Sequence, residues 1–525
     1  MIKFTNVSYS FSDGTKALKN INLEIKKGER VAVAGGNGSG KTTFALHING
    51  ILIASGGTVD VDGLTPSDDN DSRILKRKVG MVFQNPDNQL VSTTVERELA
   101  FSLENRNVPR SEMLSRVNNV LHLFGLANYR NRLTSELSGG EKQRLALAAV
   151  MVTEPDILIL DEPSSYLDRA GRDILDKALE RLMGEREELT VIKITQYASI
   201  AERYDRLIVF KDGGVFLDDR PEKIYANIEA CRAAGIEIPF KYRVADLGSI
   251  KDSQDNPADN IRTGNTRNGN SISVEGAYFK YDNSQPSYTL EAINMKISSG
   301  RIYGLVGPTG SGKSTLIQLM ASLMKPLSGH VKCDNFSGGR GSVLVSFQHP
   351  ERQFFLETVD KELRFGPGNL GLEGIEKIIS ESYEIIGLPE DRFAQRDPFT
   401  LSGGEKRRLA FGTIITMQPS FIFFDEPTCA LDAPGVESFK RIVRRLQRDG
   451  IGILIVSHNG DIIFELADEI ISLEEGRIKC VRTKEDFFTQ EDFSPYLSVP
   501  EVVSYQLERF GRIKYFSESE IMRNL

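Results

Sequence analysis

Short apolar runs alternate with helical patterns along this chain. The run RVAVAG (Arg30 to Gly35) precedes the helical pattern KTTFALHI (Lys41 to Ile48), and ILIL (Ile157 to Leu160) precedes DRAGRDILDKALERL (Asp168 to Leu182). Short runs of β-branched and aliphatic residues are typical of buried strands. Their alternation with helices predicts a mostly parallel sheet flanked by helices, which is the α/β fold class.

The pattern occurs twice, and so do three segments within it. GGNGSGKTT recurs as GPTGSGKST, LSGGEKQRLA recurs as LSGGEKRRLA, and ILILDEP recurs as FIFFDEP. The paired segments span 35–43 and 307–315, 137–146 and 401–410, and 157–163 and 421–427. Such internal repetition indicates two copies of one domain fused in tandem. The second copy is several residues shorter near the equivalent of 67–78, a polar surface insertion by its composition.

A polar tract separates the two copies. Residues 246–271 are rich in Asn, Asp, Gly and Ser and hold few large apolar residues. Such a tract buries too little surface to offset the entropy of ordering it, so we predict a flexible linker between domains 1–245 and 272–525. Each copy also ends alike, at 235–248 and 496–511, in a C-terminal appendage for which contact between the halves is one expected role.

Composition narrows the class of protein. The chain has 525 residues and a net charge of −8, which argues against a nucleic-acid-binding surface over its whole length. Its four cysteines are scattered without a CxxC pair, which fits a reducing cytosol. We find neither a signal-peptide pattern nor a run of roughly 20 apolar residues, so we expect any membrane role to depend on a partner.

The glycine-rich repeats match GxxxxGK[ST], a phosphate-binding loop between a strand and a helix. Its glycines let backbone N–H groups turn toward phosphate oxygens, and the helix start adds its positive dipole end. Lys41 and Lys313 are expected to reach the terminal phosphates, and Thr42 and Ser314 to place a hydroxyl on Mg²⁺. The predicted ATP-binding positions are Gly35, Gly36, Asn37, Gly38, Ser39, Gly40, Lys41, Thr42 and Thr43, and Gly307, Pro308, Thr309, Gly310, Ser311, Gly312, Lys313, Ser314 and Thr315.

Two acidic pairs end buried strands. Asp161 and Asp425 close the runs ILIL and FIFF, at the edge where a parallel sheet presents its ligands. An aspartate at this place can hold Mg²⁺, and the glutamate that follows it, Glu162 or Glu426, is placed to polarise an attacking water. The sequence therefore predicts a pair of sites for ATP hydrolysis.

LSGGE beside these two elements closely resembles the signature of ATP-binding cassette (ABC) ATPases, and the resemblance covers nearly the whole chain. The family implies two cassettes, each with a RecA-like P-loop core plus a helical subdomain. Paired cassettes hold two ATP molecules head to tail, and each site combines the phosphate loop of one cassette with the signature of the other. The residues that the signature implies at the γ-phosphate are Ser138, Gly139, Gly140, Ser402, Gly403 and Gly404.

Other family motifs match position by position. Gln84 and Gln348 resemble the Q-loop glutamine that joins the Mg²⁺ site to the helical subdomain, and Phe11 and Tyr281 resemble the aromatic residue that stacks on adenine. His458, in ILIVSHN, resembles the switch histidine that contacts the γ-phosphate. Two D-loops follow the acidic pairs, at 167–168 and 431–432.

The first copy departs from the family at the switch position. It reads VIKITQY, which places Gln196 where the histidine belongs. Glutamine can orient a water but cannot become a cation. We therefore predict that the site built on Lys313, Glu426 and His458 carries most of the turnover.

The segments that begin at the two Q-loop glutamines, 84–105 and 348–372, are called the Q-segments and share the pattern Q-[NH]-P-[DE]-x-Q-[LF]. They resemble the Q-helix region of energy-coupling factor (ECF) importer ATPases, including the cobalt-transporter type. In that family this region lines a groove that receives short arginine-bearing helices of a transmembrane coupling protein. The acids expected to suit such a cationic guest are Asp87, Glu96, Glu98, Glu351, Asp360 and Glu362.

This resemblance implies an importer ATPase at the cytoplasmic face of the cell membrane, with no nucleic-acid partner. Its expected partners are a transmembrane coupling subunit and a small membrane protein that captures a vitamin or metal ion. Two alternatives remain open, the ATPase of another ABC importer class and a soluble paired-ABC ATPase acting on ribosomes. The second usually has a long, charged, helical linker, unlike the polar tract here.

Overall fold

The structure is a computed structural model that describes residues 1–12, 14–163, 167, 169–247, 269–282, 287–336, 341–347, 353–429, 431–490, 497–517 and 520–521. It divides into two compact units, Met1–Arg243 with Asp432–Pro434 and Val244–Leu431 with Gly435–Leu525. Residues 248–268 of the predicted linker lie outside the described residues, as do Gln348, Glu351 and Asp168. The last residue of that predicted linker, Ser271, begins a strand.

The first unit contains strands and helices in alternation. Its strands are β1 (Ile2–Ser10), β2 (Lys16–Ile25), β3 (Arg30–Ala34), β4 (Gly56–Val61), β5 (Val79–Val82), β6 (Ile157–Asp161), β7 (Thr190–Ile194), β8 (Arg206–Lys211) and β9 (Gly214–Asp219). Its helices are α1 (Lys41–Ile48), α2 (Asp69–Lys78), α3 (Val95–Glu104), α4 (Arg110–Leu123), α5 (Gly139–Met151), α6 (Arg169–Glu185), α7 (Ala198–Ala201), α8 (Pro221–Tyr225), α9 (Ile228–Ala234) and α10 (Phe240–Leu247), the last of which continues into the second unit.

The second unit repeats this order. Its strands are β10 (Ser271–Phe279), β11 (Leu290–Ser298), β12 (Ile302–Val306), β13 (Ser328–Asp334), β14 (Val343–Ser346), β15 (Phe421–Asp425), β16 (Gly452–Val456), β17 (Glu469–Glu474) and β18 (Arg477–Thr483). Its helices are α11 (Lys313–Met320), α12 (Val359–Leu370), α13 (Ile375–Ile386), α14 (Glu390–Phe393), α15 (Gly403–Ile415), α16 (Ala433–Arg448), α17 (Gly460–Leu466), α18 (Lys484–Phe488) and α19 (Glu501–Phe510).

Within the described residues, each unit has a six-stranded sheet that is parallel except at one edge. The strand order is β5-β6-β7-β3-β8-β9 in the first unit and β14-β15-β16-β12-β17-β18 in the second. The strands ILIL and FIFF are buried along their length, as their continuous apolar sequences predict. A three-stranded antiparallel sheet, β2-β1-β4 or β11-β10-β13, accompanies each large sheet. The predicted α/β class and its duplication are confirmed.

Two apolar layers enclose the central sheet of the first unit. In the first unit the phosphate-loop helix α1 packs between the two sheets through Phe44, whose ring lies 4.9 Å from that of Phe4 and 5.1 Å from that of Phe210. Helices α6 to α9 contribute to the layer on the other side, together with α3, α4 and α5, which form a helical subdomain. The polar insertion forms α2, a helix capped by Asp68 and anchored by the buried Leu75.

Candidate functional site

The strand order brings the predicted catalytic residues to one edge of each sheet. In the first unit, Gln84 follows β5, Asp161 ends β6, Gln196 follows β7 and Gly35 follows β3, and these four strands are neighbours. Parallel strands present their carboxyl ends together, so residues distant in sequence converge there. The second unit has the same arrangement, because its strands β14, β15, β16 and β12 are neighbours in the equivalent order.

The first phosphate loop closes around its lysine. Lys41 is buried and its Nζ lies 2.7 Å from the carbonyl oxygen of Gly35 and 2.9 Å from that of Gly36. Burial lowers the pKa of Lys41, while Glu162 and Asp161 oppose that change. A side chain at Gly35 would place its Cβ 2.2 Å from the carbonyl oxygen of Phe210, so only glycine fits where the loop leaves the sheet.

The second loop repeats this geometry. Lys313 Nζ lies 3.0 Å from the carbonyl oxygen of Gly307 and 2.8 Å from that of Pro308. Among the described residues, the buried hydroxyls of Ser39 and Ser311 have no hydrogen-bond partner. A buried hydroxyl of this kind calls for an acceptor, and the phosphate oxygens of ATP are acceptors that fit a loop of this shape.

Each unit pairs a helix hydroxyl with the strand-end aspartate. Thr42 Oγ1 donates to Asp161 Oδ2 over 2.8 Å, and Ser314 Oγ donates to Asp425 Oδ2 over 2.7 Å. Burial raises the pKa of Asp161 to about 6 against the opposing hydrogen bond from Thr42, and burial also raises the pKa of Asp425. A hydroxyl beside a carboxylate is a set of hard oxygen ligands, which fits Mg²⁺.

The two glutamates have different neighbours. Glu162 accepts hydrogen bonds from Gln84 Nε2 at 2.9 Å and from Gln196 Nε2 at 3.1 Å. Glu426 instead lies 3.6 Å from His458 Nε2 and accepts a hydrogen bond from Ser457 Oγ at 3.5 Å. The structure thus brings Gln84, Gln196 and Glu162 together in one unit and His458 and Glu426 in the other, while Gln348 lies outside the described residues.

Both glutamates occupy a left-handed backbone conformation, which no sequence pattern indicated. Their φ angles are 47° each. This conformation costs an ordinary residue about 1–2 kcal/mol, so the surrounding structure must hold it. The backbone N–H of Glu162 donates to Ile194 O at 3.2 Å and that of Glu426 to Val456 O at 3.0 Å, which ties each glutamate to the neighbouring strand.

The predicted adenine-stacking aromatics are exposed. Phe11 packs edge-on against Tyr9 and Tyr281 edge-on against Phe279, each with 5.2 Å between ring centroids. The Tyr281 hydroxyl also lies 3.0 Å from Thr315 Oγ1, so this ring is fastened to the second phosphate loop. Exposed rings fixed from one side offer a free face for stacking.

The signature serines begin helices. Ser138 Oγ accepts from the Glu141 backbone at 3.3 Å while Glu141 accepts from the Ser138 backbone at 2.7 Å, and Ser402 and Glu405 make the same reciprocal pair. This is a capping box, which explains the glutamate of LSGGE. The glycines Gly139, Gly140, Gly403 and Gly404 form the first turns of α5 and α15.

One difference between the two signature helices has a structural effect. Arg407 Nη1 donates to the carbonyl oxygens of Glu426 at 3.1 Å and Pro427 at 2.8 Å. The first copy has Gln143 at this position, and its Nε2 reaches Phe83 O at 3.4 Å instead. Sequence reasoning missed this contact, although Gln against Arg is the single difference between LSGGEKQRLA and LSGGEKRRLA.

We expect Arg407→Gln to lower the ATPase rate several-fold. The guanidinium holds the backbone directly after Glu426, and hydrogen bonds to a charged group contribute about 1.5–3 kcal/mol each. Steady-state assays measure the ATPase rate, and thermal unfolding measures the stability that the lost hydrogen bonds contributed. Arg408→Gln is the matched control, because Arg408 lies on the same helix but donates to Gly387 O at 2.8 Å. An equal loss of rate in both variants would contradict the prediction.

Two acids of the Q-segments bind the backbone inside the fold, and three others form ion pairs. Glu98 and Glu362 are only 3% and 4% exposed, and they accept backbone N–H groups of 91–92 and 355–356 at 2.6–3.0 Å. Asp87 pairs with Lys142 at 2.7 Å. Glu96 and Asp360 are likewise paired, with Arg130 and Arg364 respectively. The expectation that Glu98 and Glu362 face a cationic guest is wrong, because both carboxylates are needed inside the protein.

Comparisons with known proteins identify the family. The family model described as "ABC transporter" matches residues 18–165 and 290–429. A "Putative ABC transporter ATP-binding protein" of Caldanaerobacter subterraneus subsp. tengcongensis is 30% identical over 98% of this chain and 96% of its own length. The "Putative HMP/thiamine import ATP-binding protein YkoD" of Bacillus subtilis is 30% identical over 94% of this chain and 93% of its own length.

Solved structures agree at the level of fold. In the complex of archaeal ribosomal stalk protein aP1 with the archaeal ribosome recycling factor aABCE1, a chain aligns with a TM-score of 0.64 at 20% identity, covering 97% of this chain and 99% of that one. Among the described residues, no helix has both the length and the apolar character needed to cross a bilayer. Both halves match one family model and the relatives align along almost the entire sequence, so this chain belongs to the ABC transporter family as a fused tandem of ATP-binding cassettes with ATPase activity.

Proposed function

We propose that this chain is the ATP-binding and ATP-hydrolysing subunit of an ECF-type importer, energising uptake of a vitamin or a metal ion through membrane partners. The repeated Q-segment pattern supports this proposal. The Bacillus subtilis relative, whose name assigns it to HMP/thiamine import, supports it as well. The observation that carries it is an exposed apolar surface at Val91 and Phe101 in the first unit and at Phe355 and Phe365 in the second.

In the first unit this surface is built by internal contacts. Gln89 Oε1 accepts from the Phe83 backbone at 3.1 Å, which ties the Q-segment to the strand end. The buried Glu98 then fixes the backbone at Val91 and Ser92. These contacts leave Val91 68% and Phe101 44% exposed.

The second unit presents a more aromatic surface at the same place. Glu362 holds the backbone of Phe355 and Leu356, each at 2.6 Å. Phe355 and Phe365 are 61% and 46% exposed, and their rings pack edge-on with centroids 4.8 Å apart. Exposed apolar groups on a loop and on the helix that follows it are typical of a protein-docking surface, for which we propose the transmembrane coupling subunit as occupant.

The site residues support ATP hydrolysis in the following roles. Lys41 and Lys313 bind the terminal phosphates, and Glu162 and Glu426 orient the attacking water and accept its proton. Thr42 and Asp161, and Ser314 and Asp425, would hold Mg²⁺, with Gln84 and Gln348 as further ligands. When bound, the ion neutralises charge on the phosphates.

We propose that the two cassettes pair within the chain and that each signature completes the partner cassette's site. Fusion makes this second contact intramolecular, which raises its effective concentration. ATP binding then favours the closed pair, and hydrolysis reopens it. We propose that the coupling subunit and a small substrate-binding membrane protein receive that motion. In this assembly the chain is a peripheral subunit at the cytoplasmic face of the membrane.

A mild-detergent pull-down of the tagged chain from its native membranes tests this assembly. We expect mass spectrometry to identify a polytopic coupling protein together with a small membrane protein, whose identity would indicate the substrate. Recovery of ribosomes without a membrane partner would favour a ribosome-associated ATPase instead. The likeness to the ribosome recycling factor does not favour that alternative, because at 20% identity it shows the fold alone.

Phe355→Asp with Phe365→Asp should remove the coupling protein from the pull-down while leaving the ATPase rate of the purified chain within about twofold. The charges would be buried without partners in an apolar interface. Leu323→Asp is the matched control, since Leu323 is 59% exposed but lies after the phosphate-loop helix of the same unit. Retention of the coupling protein by the double variant would contradict the proposed surface.

A further inference from the structure

The C-terminal appendage of the second cassette contacts the loop that carries the switch histidine. Ser498 Oγ accepts a hydrogen bond from the Gly460 backbone at 2.7 Å and donates one to His458 O at 3.2 Å. The Ser498 backbone N–H donates to the same carbonyl at 3.2 Å. One serine therefore binds the backbone on both sides of Asn459.

Further contacts hold this junction. The Glu501 backbone N–H, at the start of α19, donates to Asp461 Oδ1 at 2.7 Å. Gly460 permits the close approach, because a Cβ at this residue would lie 1.9 Å from Ser498 O. The junction is thus a specific fit between the appendage and the first turn of α17.

The first cassette makes the corresponding contact with different residues. Ala198 holds the same position after Gln196 that Gly460 holds after His458, and its backbone N–H donates to Glu237 Oε2 at 2.7 Å. Glu237 belongs to the appendage that follows α9. Lys241, also in that appendage, pairs at 2.8 Å with Glu202, which ends α7.

The backbone held by Ser498 carries two side chains that lie next to the proposed catalytic glutamate, Glu426. In the second cassette Ser457 Oγ accepts from the Asn459 backbone at 3.1 Å and donates to Glu426 Oε2 at 3.5 Å. His458 Nε2 lies 3.6 Å from the other carboxylate oxygen of Glu426. A shift of the 457–460 backbone would therefore move the histidine and the hydroxyl relative to the glutamate together.

We propose that each C-terminal appendage positions the switch residue of its own cassette, with Ser498 and Glu237 as positioning residues for hydrolysis. Two unrelated side chains bind the same backbone N–H in the two copies, which indicates that this contact matters in both. The inference rests on the proposed ATPase function and on the switch role that the family resemblance implies for His458 and Gln196. Because each appendage follows its cassette in sequence, a partner that displaced it would slow hydrolysis without touching the nucleotide.

The test uses the full chain carrying Glu162→Gln, so that the second site alone turns over. Ser498→Ala should lower kcat about tenfold and leave the KM for ATP within twofold, since small displacements of a positioned group have large effects on rate. Ser498→Thr keeps the hydroxyl and should restore most of kcat. Ser504→Ala, on α19 outside the junction, is the matched control.

The first cassette is tested in the same way in a chain carrying Glu426→Gln. Glu237→Ala should lower the residual kcat, and Glu237→Gln, which keeps an acceptor oxygen, should restore it. An Ser498→Ala chain that melts earlier but turns over normally would overturn the proposal.

His458→Ala separates this failure from failure of the proposed site. If His458→Ala slows turnover and Ser498→Ala does not, the appendage inference alone is wrong. If His458→Ala has no effect on kcat, the assignment of the switch residue fails, and the inference fails with it.

Discussion

Glu426→Gln should lower the steady-state ATPase rate about a hundredfold, whereas Glu162→Gln should lower it only a few-fold. A positioned general base contributes roughly 10²–10⁴ in rate. Glu426 has His458 at 3.6 Å, the residue that the family resemblance implies at the γ-phosphate, and histidine, unlike glutamine, can become a cation. Glu162 is held by two amides, from Gln84 and Gln196, which remain neutral at every pH.

Phosphate release from both single variants, measured at saturating Mg²⁺ and ATP, compares the two losses of rate. Glu373→Gln, an exposed glutamate of the second unit, controls for the loss of one negative charge. A larger loss at Glu162 than at Glu426 would contradict the prediction. Equal losses would leave the two sites undistinguished.

Gly307→Ala should abolish ATP binding at the second phosphate loop, reducing the nucleotides bound per chain from two to one. The new Cβ would lie 2.0 Å from the carbonyl oxygen of Leu473 and 3.1 Å from Ser311 Oγ. Neither the strand β17 nor the loop can yield by that distance without displacing the backbone N–H groups that face the phosphates. Turnover should fall with binding, since this loop belongs to the site expected to carry most of it.

Equilibrium binding of a fluorescent ATP analogue measures the stoichiometry. Gly368→Ala is the control, because an added Cβ there would meet nothing within 4 Å. Gly368 lies in α12, away from the phosphate loop, and alanine is the better helix former. Two nucleotides bound to the Gly307→Ala chain would show that the loop tolerates a side chain.

Much of this fold could be predicted because the sequence is locally consistent. Continuous apolar runs such as ILIL and FIFF are typical of buried strands in an alternating α/β pattern, and both are buried strands. The phosphate loops were predictable for a similar reason, since each fixed residue of GxxxxGK[ST] has its own mechanical role. Lys41 and Lys313 accordingly lie inside their loops.

Contacts that depend on tertiary placement were not predictable. The sequence around Glu98 does not show whether its carboxylate is buried against backbone N–H groups or solvated, because both kinds of glutamate occur on amphipathic helices. The contact of Ser498 with the switch loop joins segments that are far apart along the chain, and serine is too common to signal it. Predicting the role of Arg407 would have required the position of the backbone at the end of β15, to which its guanidinium donates.

The left-handed backbone at Glu162 and Glu426 puts selection for stability in conflict with selection for turnover. Selection for heat resistance alone would favour glycine at both positions, because glycine adopts this conformation without strain. The same exchange would delete the carboxylates that the proposed chemistry requires. A library screened only for thermostability would therefore enrich inactive cassettes first, and any stabilised descendant of this chain needs a simultaneous screen for turnover.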